Sequence, residues 1–170
     1  GVNTTDAGGN FVDSMGTIAS GSRENWTDGT GTVLFTNDST YRGDVALVQM
    51  FSGKSGGAYI YSGANTTTST AVHSMWTTVP SYGDQYCTSG SNTYAICGWT
   101  VSNVRINWQY STGEWVLNAT KGTKSSGTST NGGDSGGPVY TVDGSGTIAA
   151  KGIHSGGKHW NSQNDPEWQT

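Results

Sequence analysis

Charge is scarce in this chain. Asp, Glu, Lys and Arg make up 12% of its 170 residues, about half the usual share. The eight Lys and Arg are scattered and the net charge is −4. That excludes a basic face for nucleic acid or for an anionic membrane surface. No apolar run approaches the ~20 residues of a membrane-spanning helix, and no long helix-like run is present. The three histidines form no ligand-like cluster, so a catalytic metal is not expected.

Glycine is plentiful instead, at 27 residues, about twice ordinary usage. Ser, Thr and Asn are also abundant. Many short strands joined by polar turns is the natural reading, an all-β fold. Strands are expected at 33–35, 45–50 and 58–61. Val104, Ile106, Trp108 and Tyr110 alternate with Arg105, Asn107 and Gln109, the period of two of a half-buried strand. Residues 114–118 read as its hairpin partner. Val139–Val142 and Ile148–Ile153 read as a hairpin across Asp143-Gly144-Ser145-Gly146. Residues 62–70 look like a linker, and 121–132 like a long Ser/Thr/Gly loop.

The densest chemistry lies in Gly133-Asp134-Ser135-Gly136-Gly137-Pro138-Val139. Acyl transfer needs a serine oxygen exposed at a turn, with backbone N–H groups converging beside it. Gly133 has no Cβ to block a close approach. The N–H groups of Gly133 and Ser135 are then placed to hold an oxyanion. The bland alternative is one more Gly-Ser loop. No other loop of this chain sets Asp between Gly and Ser with Gly-Gly-Pro following.

These seven residues resemble the nucleophile motif of chymotrypsin-fold serine proteases. Asn37-Asp38 and Gly43-Asp44-Val45-Ala46-Leu47-Val48 resemble the strand entry that carries the triad aspartate. Cys87-Thr88-Ser89-Gly90, Tyr94 and Cys97-Gly98 resemble the disulfide-closed hairpin of the secreted bacterial branch, the α-lytic protease and streptogrisin group. Lys151-Gly152-Ile153-His154-Ser155-Gly156-Gly157 resembles the strand lining the specificity pocket. The likeness runs from about residue 16 to residue 157.

The resemblance implies a chymotrypsin-like double β-barrel whose first barrel is incomplete. Residues 1–64 would be a remnant of the N-terminal barrel with Asp44, and 65–170 the barrel with nucleophile and pocket. It implies Ser135 as nucleophile and Asp44 as the carboxylate orienting a base. Taken alone, Asp44 reads equally as a turn aspartate before a strand. Gly133 and Ser135 would form the oxyanion hole. His154, Ser155, Gly156, Gly157, Ser129 and Thr130 would bind substrate. His154 at the pocket, with Ser129 where an acidic residue would select Arg or Lys, implies a preference for Glu or Gln before the scissile bond. The competing reading of His154 is a histidine packed within its strand. Cys87 and Cys97 are expected to be bridged in an oxidising compartment, the alternative being two buried thiols. Asp134 is held by a cation in the family, which here is Arg105, another group, or a set of neutral hydrogen bonds.

The family order along the chain is His, Asp, Ser, and no histidine precedes Asp44. An internal piece of a longer enzyme is therefore expected, without the histidine segment and without the final strand and C-terminal helix. His73 with Asp84 is the weaker alternative for a base and its partner. The expected function is a secreted serine endopeptidase acting on peptide or protein substrates, with no cofactor, no nucleic acid and no membrane. This chain alone would be nearly inactive. Two readings compete with it: a protease-like binding module that has lost catalysis, and one chain of a nicked protease whose N-terminal fragment supplies the histidine.

Overall fold

The computed structural model describes residues 2–5, 10–18, 48–63, 68–109, 115–159 and 166–169. Among these residues the protein is all β, with no helix. The chain divides into two compact units, 1–57 with 108–117, and 58–107 with 118–170. The expected strand at 33–35 lies outside the described residues, as do residues 45–47.

The smaller unit holds an antiparallel sheet of β1 (Val2–Thr5), β2 (Phe11–Ile18) and β3 (Val48–Met50), in that order. Lys54 and Asp13 form an ion pair there.

The second sheet has nine strands. They are β4 (Tyr59–Tyr61), β5 (Ser69–Met75), β6 (Gln85–Gly90), β7 (Tyr94–Gln109), β8 (Trp115–Thr123), β9 (Pro138–Val142), β10 (Ile148–Ile153), β11 (Gly156–His159) and β12 (Pro166–Gln169). Their order is β11-β12-β8-β7-β6-β9-β10-β5-β4. The β9–β10 hairpin crosses residues 143–147 and pairs Val142 with Ile148. Asp143 organises that turn, accepting from the Ser145 and Thr147 N–H groups. β10 also pairs β5 in parallel, which no local pattern in the sequence announces.

Two expectations need correction. Residues 62–70 are not linker throughout, because Ser69 and Thr70 already pair with Tyr61 and Ile60. The loop expected at 121–132 begins only after Thr123, since β8 continues through Lys121 and Gly122 to pair with β12. Ladder hydrogen bonds come from the backbone, so polar Lys121 and Thr123 serve as well as apolar residues there.

β6 sits centrally, between β7 and β9, and Tyr86, Cys87, Thr88 and Ser89 are all buried. A strand covered on both faces loses the alternation of a half-exposed one. Its polar members need partners. The Thr88 hydroxyl accepts from Trp99 Nε1 at 3.1 Å, and the Ser89 hydroxyl donates to the Tyr61 carbonyl at 2.5 Å. One apolar cluster gathers Tyr86, Ile96, Trp99, Val101 and Val139. The other gathers Ile60, Cys87, Tyr140 and Ile148. Cys87 and Cys97 are joined by a disulfide across paired positions of β6 and β7. This cross-strand bridge stiffens the hairpin whose tip, residues 91–93, reaches the Ser135 loop.

Candidate active site

Ser135 stands exposed at the corner of two consecutive turns. In the first, the Asp134 N–H donates to the Asn131 carbonyl at 3.1 Å; in the second, the Gly137 N–H donates to the Asp134 carbonyl at 3.0 Å. Each turn has a left-handed residue in its third position, Gly133 with φ 99° and Gly136 with φ 85°. That is the type II pattern, which a Cβ would strain. The corner is stitched to the chain after β10: the Gly136 N–H donates to the His154 carbonyl at 2.7 Å, and the His154 N–H to the Gly137 carbonyl at 2.8 Å. Among the described residues, neither the Gly133 nor the Ser135 N–H donates to a protein acceptor.

Asp134 points inward and is 2% exposed. Its Oδ1 accepts from the N–H groups of Asn92 at 2.8 Å and Thr93 at 3.0 Å. Its Oδ2 accepts from the Thr93 hydroxyl at 2.6 Å and the Asn131 N–H at 2.7 Å. Four neutral donors thus replace a cation, and Arg105 is exposed and not among them. Burial alone would raise the Asp134 carboxyl, but the bonds from Thr93, Asn131 and Asn92 together outweigh it and hold the group below its ordinary value. The hairpin tip grips the loop elsewhere too. The Ser91 hydroxyl donates to the Gly133 carbonyl at 2.7 Å, and the Asn92 amide to the Gly132 carbonyl at 3.0 Å. Gly90 makes room for the carboxylate, since a Cβ there would lie 2.1 Å from Asp134 Oδ1.

A cavity of about 350 Å³ opens beside Ser135, walled by Tyr59, Tyr61, Gly90, Tyr94, Gly133 and Pro138. The residues expected to bind substrate lie elsewhere. His154 is 2% exposed and its Nε2 shares a hydrogen bond of 3.1 Å with the Thr130 hydroxyl, itself buried. Burial holds the His154 imidazolium below its ordinary pKa, against the opposing pull of the Asp134 charge. Ser129 is half-buried, Ser155 and Gly156 are buried, and Gly157 is exposed at the start of β11. None of these six lines the cavity at Ser135.

Asp44 lies outside the described residues. His73 is exposed on β5, and the Asp84 carboxylate accepts from the Ser81 N–H within its own turn at 2.8 Å. Neither His73 nor Asp84 borders the cavity at Ser135. The structure therefore brings together Ser135, Gly133 and Asp134, and adds Ser91, Asn92, Thr93 and the three tyrosines. For Ser91, Asn92, Thr93 and Tyr94 the sequence signal is the turn-rich stretch between the two cysteines; for Tyr59 and Tyr61 there is none. An exposed hydroxyl on a fixed corner, with two N–H groups beside it, can accept an acyl group once a base removes its proton.

No family model and no curated protein matches this sequence. Solved structures that share its architecture include two bacterial proteases. A chymotrypsin of Cellulomonas bogoriensis is 24% identical with a TM-score of 0.55, over 75% of this chain and 62% of that one. A Nocardiopsis protease (NAPase) is 24% identical with a TM-score of 0.57, over 99% of this chain and 83% of that one. The chain thus spans somewhat under two thirds of the length of the Cellulomonas protein. The likeness is one of fold, and the fold is the all-β, chymotrypsin-like one.

Proposed function

We propose that this protein carries the nucleophile of a serine endopeptidase. The observation that carries the reading is the Ser135 corner: an exposed hydroxyl, the Gly133 and Ser135 N–H groups, and an open cavity, all fixed by buried Asp134. In this reading Ser135 Oγ attacks the carbonyl carbon of the scissile bond while a base takes its proton. The two N–H groups hold the oxyanion. The C–N bond then breaks, the amine leaves with the proton, and water releases the acyl group from Ser135. Asp44 orients the base. In this reading the base is a histidine supplied from outside these 170 residues, in keeping with the absence of His73 and His154 from the cavity wall. The disulfide and the charge-poor composition support an extracellular setting.

A preference for Glu or Gln before the scissile bond rests on the His154–Thr130 pair. A substrate oxygen reaches this buried pair only if the strand after Ile153 parts from the 129–130 segment. Burial penalises the imidazolium, so Gln is favoured at neutral pH and Glu gains as the pH falls toward the lowered pKa of His154.

The test is covalent labelling with a fluorophosphonate probe. The 170-residue chain should label slowly. Joined to the polypeptide encoded upstream, it should label at Ser135 and cleave peptides, with turnover rising on the order of 10⁶ as the base is supplied. Ser135→Ala should abolish both. A longer chain that still fails to label would make the protein a binding module.

A further inference from the structure

The cavity beside Ser135 holds none of the residues expected from the sequence to bind substrate. We propose that it is a subsite for a neutral aromatic or large apolar side chain of the bound peptide, separate from the His154–Thr130 pair. The inference rests on the reading of Ser135 as the acyl acceptor only for the identity of its ligand as a peptide.

The walls carry the case. Tyr59 and Tyr61 occupy alternate positions of β4, at one end of the nine-stranded sheet, and so share a face. They are 66% and 56% exposed, whereas Ile60 between them is buried in the core. Tyr94 and Pro138 add further apolar surface, and Gly90 and Gly133 keep the wall low. Exposed tyrosines around a cavity offer large, rigid contact area at little entropic cost.

Three polar side chains of the lining are already engaged. The Ser89 hydroxyl donates to the Tyr61 carbonyl and the Ser91 hydroxyl to the Gly133 carbonyl. Asp134 is the one charged residue of the wall, and both its oxygens are occupied by four hydrogen bonds. That wall repels Asp and Glu, and it leaves Lys or Arg no free acceptor on Asp134, so burying a charged side chain there would cost its desolvation with little return. The volume of about 350 Å³ is at the small end of ligand pockets, enough for one side chain.

The test uses binding, which needs no base. Blocked peptides differing at one position, Phe, Leu, Lys or Glu, are titrated into the 170-residue chain and followed by amide NMR. Phe and Leu peptides should bind about 10-fold or more tighter than Lys and Glu peptides. They should shift the amides of Gly90, Ser91, Gly133 and Ser135. Tyr61→Ala should remove most of that preference, and Tyr59→Lys should favour the Glu peptide. Both positions are exposed, so the variants should fold, which the unperturbed amides of β9 and β10 would confirm. Equal binding of all four peptides, no binding, or a preference untouched by both substitutions would overturn the subsite. Fluorophosphonate labelling of the longer chain reports separately on Ser135. Aromatic binding without labelling leaves the subsite standing and the peptidase reading fallen; labelling without aromatic binding does the reverse.

Discussion

Asp134 and His154 are both 2% exposed, and both brace the turns around Ser135. Both also have a lowered pKa, yet the two shifts mean opposite things. For Asp134 the charged form is the favoured one, because four hydrogen bonds outweigh burial. For His154 the charged form is the penalised one, because burial outweighs the attraction of Asp134. A carboxylate can be buried ionised when backbone N–H groups converge on it. An imidazole with a hydroxyl neighbour is buried neutral. The protein thus favours a negative charge behind the Ser135 corner and penalises a positive one on the imidazole beside it. For a reaction that builds an oxyanion, this puts the burden of stabilisation on the Gly133 and Ser135 N–H groups.

The largest effect should come from Asp134. Asp134→Ala strands the N–H groups of Asn92, Thr93 and Asn131. At about 1–3 kcal/mol for a buried donor left unpaired, and toward the low end for these part-buried ones, a loss of about 3–5 kcal/mol is expected in urea unfolding. Gly90→Ala should act through the same group, since its Cβ would meet the carboxylate. The added Cβ would also lie 2.4 Å from the Asp134 Cβ, so the partner variant is Asp134→Gly, with which the cost of Gly90→Ala should shrink by about 1–3 kcal/mol, the coupling expected of groups in contact. Strict additivity would mean that Gly90 is not there for Asp134.

How much of this pair was legible in the sequence follows from where the contacts lie. The turn around Ser135 is local, and Gly133-Asp134-Ser135-Gly136-Gly137 spells it out through the two glycines at positive φ. The β9–β10 hairpin and the alternation at Val104 and Ile106 are local patterns too, and they hold. Asn92 and Thr93, which supply three of the four bonds to Asp134, are 42 and 41 residues away, and three of the four bonds come from backbone N–H groups that almost any residue carries. Sequence reasoning could name a neutral cage as one alternative but not its donors. Likewise, β4 reads as a short apolar strand, and only the tertiary fold sets Tyr59 and Tyr61 beside Ser135.

The disulfide offers a way to separate the two sites. It crosslinks β6 and β7, whose tip supplies Asn92 and Thr93 to Asp134, whereas the His154 imidazole meets the Thr130 hydroxyl. Replacing both cysteines by Ala should cost about 2–3 kcal/mol. It should also speed hydrogen exchange at the Asn92 and Thr93 amides more than at the His154 amide. Equal acceleration at all three would show that the bridge supports the whole unit and not the carboxylate cage.

The smallest effect is the most diagnostic of the contrast, because it turns on the sign of the pH dependence. Asp134, depressed below its ordinary 3.8, contributes stability that is complete above that value and is lost as the pH falls through its folded pKa. His154 is depressed below its ordinary 6.5, so the unfolded chain binds a proton at a pH where the folded chain does not. Stability is therefore complete above about pH 6.5 and declines as the pH falls toward the folded pKa. The two windows do not coincide: between pH 7.5 and 5.5 His154 acts and Asp134 does not. His154→Gln keeps a side chain able to meet the Thr130 hydroxyl but removes the titration. At pH 7.5 it should cost about 1 kcal/mol, the scale of one altered hydrogen bond. At pH 5.5 the gap to the unsubstituted protein should narrow, because only the latter has lost stability on the way down. The other two histidines are present in both proteins and cancel in the difference. Urea midpoints at the two pH values decide the matter. A gap that widens toward pH 5.5 would mean that His154 is charged in the folded protein, and that a cation does stand beside the Ser135 corner.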